Sequence, residues 1–263
     1  MTGEHEKLRV VAKYEFMKHL RRKRFYVVLA LAIAVELIVL IALPLLGAGY
    51  PSNVMVMAAL LSMGATFPTM GAVFFAGDAI AGEFEGKTGY VLFPNPVRRA
   101  TIVLGKYLAC FSAIALAVLA LYGVVGVSLL WIYGRVPMEV AGSMALCLLA
   151  SGAVVSVTFF FSSISRGTMG ATVTTLIFIF VVLEVVESVL LMAGQPRWFL
   201  LSYASGVMIT IYDGYGAFAG VHEGIPPRAM QSPEVGTSIA VMVAYLLVFL
   251  ALSVAIAKRR EMV

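Results

Sequence analysis

Residues 81–88 read AGEFEGKT, close to the pattern G-x-x-x-x-G-K-[ST] in which a glycine-rich loop cradles nucleotide phosphates. Ala81 stands where the first glycine belongs, and Lys87 and Thr88 fill the last two places. Such a loop needs a preceding strand and a following helix whose N-terminal amides face the anion. Here the preceding residues form an apolar run of membrane length, and no aspartate on a buried strand follows to hold magnesium. Glu83 and Glu85 also put negative charge where phosphates would sit. No nucleotide site is expected on this chain. It holds no H-E-x-x-H, no G-x-S-x-G and no Cys/His cluster, and His5, His19 and His222 are scattered. The expectation is a chain that is not an enzyme and holds neither metal nor cofactor.

Three further carboxylates are chemically notable because they fall inside apolar runs: Glu36, Glu184 and Glu187. Glu36 lies about 16 Å along its run, near mid-membrane, at 1.5 Å per helical residue. Glu184 and Glu187 share a face by i, i+3 spacing in the outer half of theirs. None has a basic residue within its own run. Carboxylates so deep face a cavity or a transport pathway, or they are protonated and bonded to neighbouring Ser or Thr. Both readings stand.

The elements around these groups follow from composition. Of 263 residues, 61% are hydrophobic and 13% charged, where soluble domains carry about 25% charged. Mean hydropathy is +0.98. This is a polytopic membrane protein, predicted all-α. The net charge of +5 comes from basic residues at the ends of apolar runs, so it does not point to nucleic acid. The polar N-terminal stretch does not read as a cleaved leader. Cys110 and Cys147 fall inside apolar runs and are expected as small buried hydrophobes rather than a disulfide.

A span needs about 20 apolar residues. Six runs qualify: 25–46, 53–76, 107–133, 140–161, 170–192 and 235–257. Sixteen of nineteen Lys and Arg fall before the first run, between the second and third, between the fourth and fifth, or after the sixth. The rule that basic loops stay inside then puts both termini in the cytoplasm of a cell-membrane protein. One further apolar segment, 198–219, contains Asp213 and glycines at 206, 214 and 216. It is expected as an interfacial or re-entrant helix within an external hairpin over 193–234. Residues 1–24 are expected as an amphipathic helix on the inner surface, with Val10, Tyr14 and Met17 on one stripe and Ala12, Phe16 and Leu20 on another. Its Lys and Arg would snorkel to anionic headgroups. The whole chain, 1–263, reads as one transmembrane domain.

The polar island at 77–106 interrupts this apolar sequence. Asp78 to Glu85 is expected to continue the second span with a polar face, and Gly86, Lys87, Thr88 and Gly89 to break it. Residues 90–93 form a brief apolar insert, Pro94 and Pro96 force a turn, and Arg98 to Lys106 start the third span. A plain solvated connector would not need about thirty residues or an apolar insert between acidic and basic flanks.

The order of residues in this island resembles the permeases of ABC type-2 transporters. The match runs through Asp78, Glu83, Gly86, Thr88, Leu92, Pro96, Arg98, Gly105 and Lys106, with SSISR at 162–166 and the basic helix before the first span. Lys87 departs from the small or hydroxyl residue usual in that turn. The resemblance implies a cytoplasmic coupling helix that docks on a separate ATPase subunit, which carries ATP and magnesium. It implies contact through Asp78, Glu83, Glu85, Gly86, Thr88, Leu92, Pro96, Arg98 and Arg99. It also implies an exporter, with two permease copies, a homodimer, pairing across a central pathway in the lipid bilayer. The alternative is an ion-coupled secondary transporter using Glu36, Glu184 and Glu187. That alternative calls for internal repeats and helices broken at midplane, and the sequence contains no repeat.

Overall fold

A computed structural model of the protein describes residues 4–47, 49–86, 98–212 and 233–259. These residues are helical, with no strand among them. A leading helix, Glu4–Arg21, precedes six helices long and apolar enough to span a bilayer: Lys23–Leu45, Val54–Glu83, Arg99–Tyr133, Met138–Ile164, Thr168–Met192 and Val235–Arg259. The expected six-span, all-α architecture is what the chain adopts. The chain enters the first span and leaves the sixth at the same end of the bundle, here the basic end; the opposite end is the far end.

The spans sort by side-chain size and polarity. In the fourth span 67% of the most apolar window is buried, in the second 61% and in the third 50%, against 17% in each of the other three. The fourth span is the axis. Its small and hydroxyl residues let neighbours approach closely, and the hydroxyls turn back on their own helix. Ser156 donates to the Gly152 carbonyl at 3.1 Å and Thr158 to that of Val154 at 2.7 Å. Burial therefore leaves neither hydroxyl unbonded.

The second span is not one straight rod. It runs Val54–Ser62, tightens to a 3-10 turn at Met63–Ala65, and resumes as Thr66–Ala76. Pro68 supplies the cause: its ring collides with the carbonyl four residues back, at Gly64, and it offers no N–H. Thr66 and Thr69 donate to the Met63 and Ala65 carbonyls and hold the break together. Gly71 lets the first span close on this one, since a Cβ there would lie 2.6 Å from Val28.

The third span starts at Arg99, so residues 99–106 form its first turns as expected, eight residues ahead of the apolar run at 107–133. Its 35 residues make about 52 Å of helix, longer than the ~30 Å hydrocarbon core, so its first turns project at the basic end. At the far end Gly134 closes it in the left-handed conformation, φ 68°.

At the far end the apolar segment 198–212 does not cross. It folds as two short helices, Leu201–Ser205 and Val207–Thr210, with Leu201, Ala204, Val207, Met208 and Tyr212 buried. Tyr212 hydrogen-bonds Ser62 at 2.8 Å, and Ser143 donates to the Met208 carbonyl. The segment is tucked among the second, fourth and sixth spans. Residues 213–232, the middle of the expected hairpin, lie outside the described residues.

Candidate functional site at the basic end

The site is built on a turn and a helix of five residues. After Ala76 the second span unwinds through 77–80 and re-forms as Ala81–Glu85. Residues 81–85 are thus helix, not a loop following a strand. Ser162, from SSISR at the end of the fourth span, organises the turn. Its hydroxyl accepts from the amides of Ile80 (3.2 Å) and Ala81 (2.9 Å) and donates to the Gly77 carbonyl (2.9 Å). One donor and two acceptor sites is a hydroxyl's full capacity.

Three acidic groups of this segment reach three different elements. Asp78 forms an ion pair with Arg22, and Arg24 stands 3.9 Å away. Arg22 is the extended residue (φ −84°, ψ 133°) between the leading helix and the first span, and that bend presents its guanidinium inward. Glu83 accepts from Lys106 Nζ at 2.5 Å. Glu85 accepts from the Thr168 amide at 2.7 Å and so caps the fifth span. That bond holds its carboxyl below the usual carboxylate range.

Lys106 is the hub. It is 4% exposed, and its ammonium also donates to the Ala79 carbonyl at 2.8 Å and pairs with Glu15 at 3.6 Å. Two hydrogen bonds and a longer ion pair thus surround one buried ammonium. Burial alone would raise the Glu15 carboxyl, but Lys106 and Lys18 outweigh it and keep it lowered.

The leading helix packs along the projecting turns of the third span. Gly105 makes this possible, because a Cβ there would lie 2.7 Å from Val11. Thr101 donates to Glu4 at 2.8 Å, and Arg98 lies 3.8 Å from the same carboxylate. His19 is 3% exposed, 3.3 Å from Cys110 Sγ through Nε2, with Phe75 edge-on at 6.0 Å. Burial lowers its pKa to about 4. Of the expected apolar stripes, Ala12, Phe16 and Leu20 are half-buried, with Leu20 packed against the core, while the other turns outward. Val11, Glu15 and His19 face the bundle, whereas Val10, Tyr14 and Met17 are 49%, 74% and 43% exposed. A line that mixes Val with Glu and His carries no amphipathic signal.

Of the expected contact residues, Asp78, Glu83, Glu85, Gly86, Arg98 and Arg99 lie together at this end. Asp78 and Glu83 are engaged by the chain's own cations, while Glu85, Gly86 and Arg98 are exposed. Arg99 donates to the Lys258 carbonyl at 3.3 Å. Lys87, Thr88, Leu92, Pro94, Pro96 and the insert 90–93 lie outside the described residues. Glu15, His19 and Arg22 were missed by the sequence reading. Only the end of the second span and the start of the third were read as polar neighbours.

The deep carboxylates are not brought to one place. Glu36 is fully buried beside Gly64, and neither oxygen has a hydrogen-bond partner among the described residues. Glu187 accepts from Ser202 at 2.6 Å and pairs with Arg197 at 3.6 Å, just past the end of its span. Glu184 is exposed on the outer face of the fifth span. Among the described residues no group of three metal-ligating side chains forms.

No curated protein matches the sequence. The family model for the ABC-2 family transporter protein matches residues 11–182, from the middle of the leading helix to the π-turn Phe178–Val182 of the fifth span. That stretch covers most of the chain and nearly all of the polar cluster, and the chain belongs to the ABC-2 transporter family as a membrane permease.

Proposed function

We propose that this chain is the permease of an exporter driven by a separate ATPase, and that residues 77–106 are where the ATPase acts. Permeases of this family work with an ATPase subunit in the lipid membrane and are not themselves enzymes. ATP and magnesium belong to that partner. The basic end faces the cytoplasm of the cell membrane and carries both termini, a reading supported by the sixteen of nineteen Lys and Arg at that end.

The observation that carries the reading is the set of bonds from residues 78–85 to Arg22, Lys106, Ser162 and Thr168. A push on a segment tied in this way displaces the first, third, fourth and fifth spans together instead of bending a loop. Asp78 and Glu83 act as internal anchors. Glu85, Gly86, Thr88, Leu92, Pro96, Arg98 and Arg99 form the contact surface. Two copies pair, and the exposed Glu184 faces the second copy or the pathway, because a carboxyl left in lipid is costly. Glu36 is a second pathway group. Glu187, held by Arg197 and Ser202, braces the far end instead.

The test is purification from native membranes with the ATPase followed by reconstitution. Leu92→Asp should leave a folded permease that loses the ATPase or its substrate-stimulated turnover. Wild-type levels of both in that variant would reduce 77–106 to a connector.

A further inference from the structure

A groove of about 660 Å³ runs between the leading helix and the third span, on the face turned away from the bundle. One wall is a single helical stripe, in which Leu8, Ala12 and Phe16 are half-buried while Arg9 and Lys13 are exposed. The other wall is Leu108 and Ser112, exposed residues one turn apart on the third span. The groove is therefore apolar on the membrane side and cationic at its rim. Among the described residues neither Arg9 nor Lys13 takes part in an ion pair, although the same helix engages Glu4, Glu15 and Lys18 in such pairs. Their i, i+4 spacing places the two side chains about 6 Å apart, close enough to grip one phosphodiester together.

We propose that this groove seats an anionic glycerophospholipid. Its phosphate lies between Arg9 and Lys13, and an acyl chain lies along Phe16, Leu108 and Ser112. A soluble anion would use the rim alone and leave the apolar wall exposed, whereas a zwitterionic lipid would bring its own cationic headgroup up against Arg9 and Lys13. The lipid would fasten the leading helix to the third span at the level where Lys106 fastens both to residues 79–83. Seat and cluster are separate: the groove uses none of the residues that hold the polar network.

The test uses the purified full-length protein in detergent, titrated with phosphatidylglycerol and, separately, phosphatidylcholine, with bound lipid counted by native mass spectrometry. Wild type should retain phosphatidylglycerol in preference to phosphatidylcholine. Arg9→Gln with Lys13→Gln should weaken phosphatidylglycerol about 30-fold, the loss expected for two basic groups at a membrane surface. Ser112→Trp, which fills the groove and keeps both cations, should also lose the retained lipid. Arg21→Gln with Lys23→Gln changes net charge equally at exposed positions outside the groove and should retain it. All five sites are exposed, so size-exclusion profiles should match wild type. Equal retention of the two lipids, an equal loss in the Arg21/Lys23 variant, or undiminished binding in Ser112→Trp would each overturn the seat.

Discussion

Removing the Lys106 ammonium while keeping its length, as Lys106→Met, should cost the bundle about 3 kcal/mol. Truncating one partner of a buried ion pair typically costs about 3–5 kcal/mol, because the remaining charge stays desolvated. The lower end applies here, since the side chains of Glu83 and Glu15 keep 14% and 19% exposure and so retain some water. Glu83→Gln should cost less, about 1.5–3 kcal/mol for a charged hydrogen bond, because Lys106 keeps Glu15 and the Ala79 carbonyl. The informative variant is the pair together. If the two groups hold each other, the double variant should be about as stable as Lys106→Met alone, with a coupling of about 1–3 kcal/mol. Reversible unfolding by sodium dodecyl sulfate in mixed micelles, followed by tryptophan fluorescence, measures all three. Additivity of the single costs within about 0.5 kcal/mol, or a cost below about 1 kcal/mol for Lys106→Met, would refute the hub.

The other predictions concern the same end of the bundle. His19 is held near pKa 4 by burial, below its ordinary 6.5, so the unfolded chain takes up the proton first as pH falls. Its contribution is complete above pH 6.5 and declines toward pH 4, by about 3 kcal/mol in full. Unfolding measured between pH 6.5 and 5, where Glu15 stays ionised, should show this slope in wild type and a flatter one in His19→Gln. Gly105→Ala should destabilise by about 1–3 kcal/mol through overpacking against Val11, and Val11→Ala should restore most of the loss in the same assay. Ser162→Ala strands the Ile80 and Ala81 amides at a cost of about 1–3 kcal/mol. Amide exchange should then accelerate in residues 77–86 before any other described segment.

Length and apolarity were sufficient for the six spans, since no other arrangement hides so much hydrocarbon and satisfies every backbone group. Charge and context at AGEFEGKT argued against a phosphate loop, residues 81–85 form a helix there, and the sequence singled out Asp78, Glu83 and Lys106 as one polar island. What it could not supply was the pairing. Lys106 reads as a basic residue at a span's edge, yet it is buried because the third span begins at Arg99 and the leading helix lies alongside it. The contact line Val11, Glu15 and His19 carries no hydrophobic period, since the buried Lys106 accommodates the Glu15 carboxylate and Cys110 meets the His19 imidazole. The 3-10 break in the second span follows from Pro68, a local cause legible in retrospect. Glu187 found Arg197 across a turn that no within-span rule connects. Spans are decided by transfer from water to lipid, residue by residue. Which charges meet is decided by helix packing, and that depends on side chains far apart in the chain.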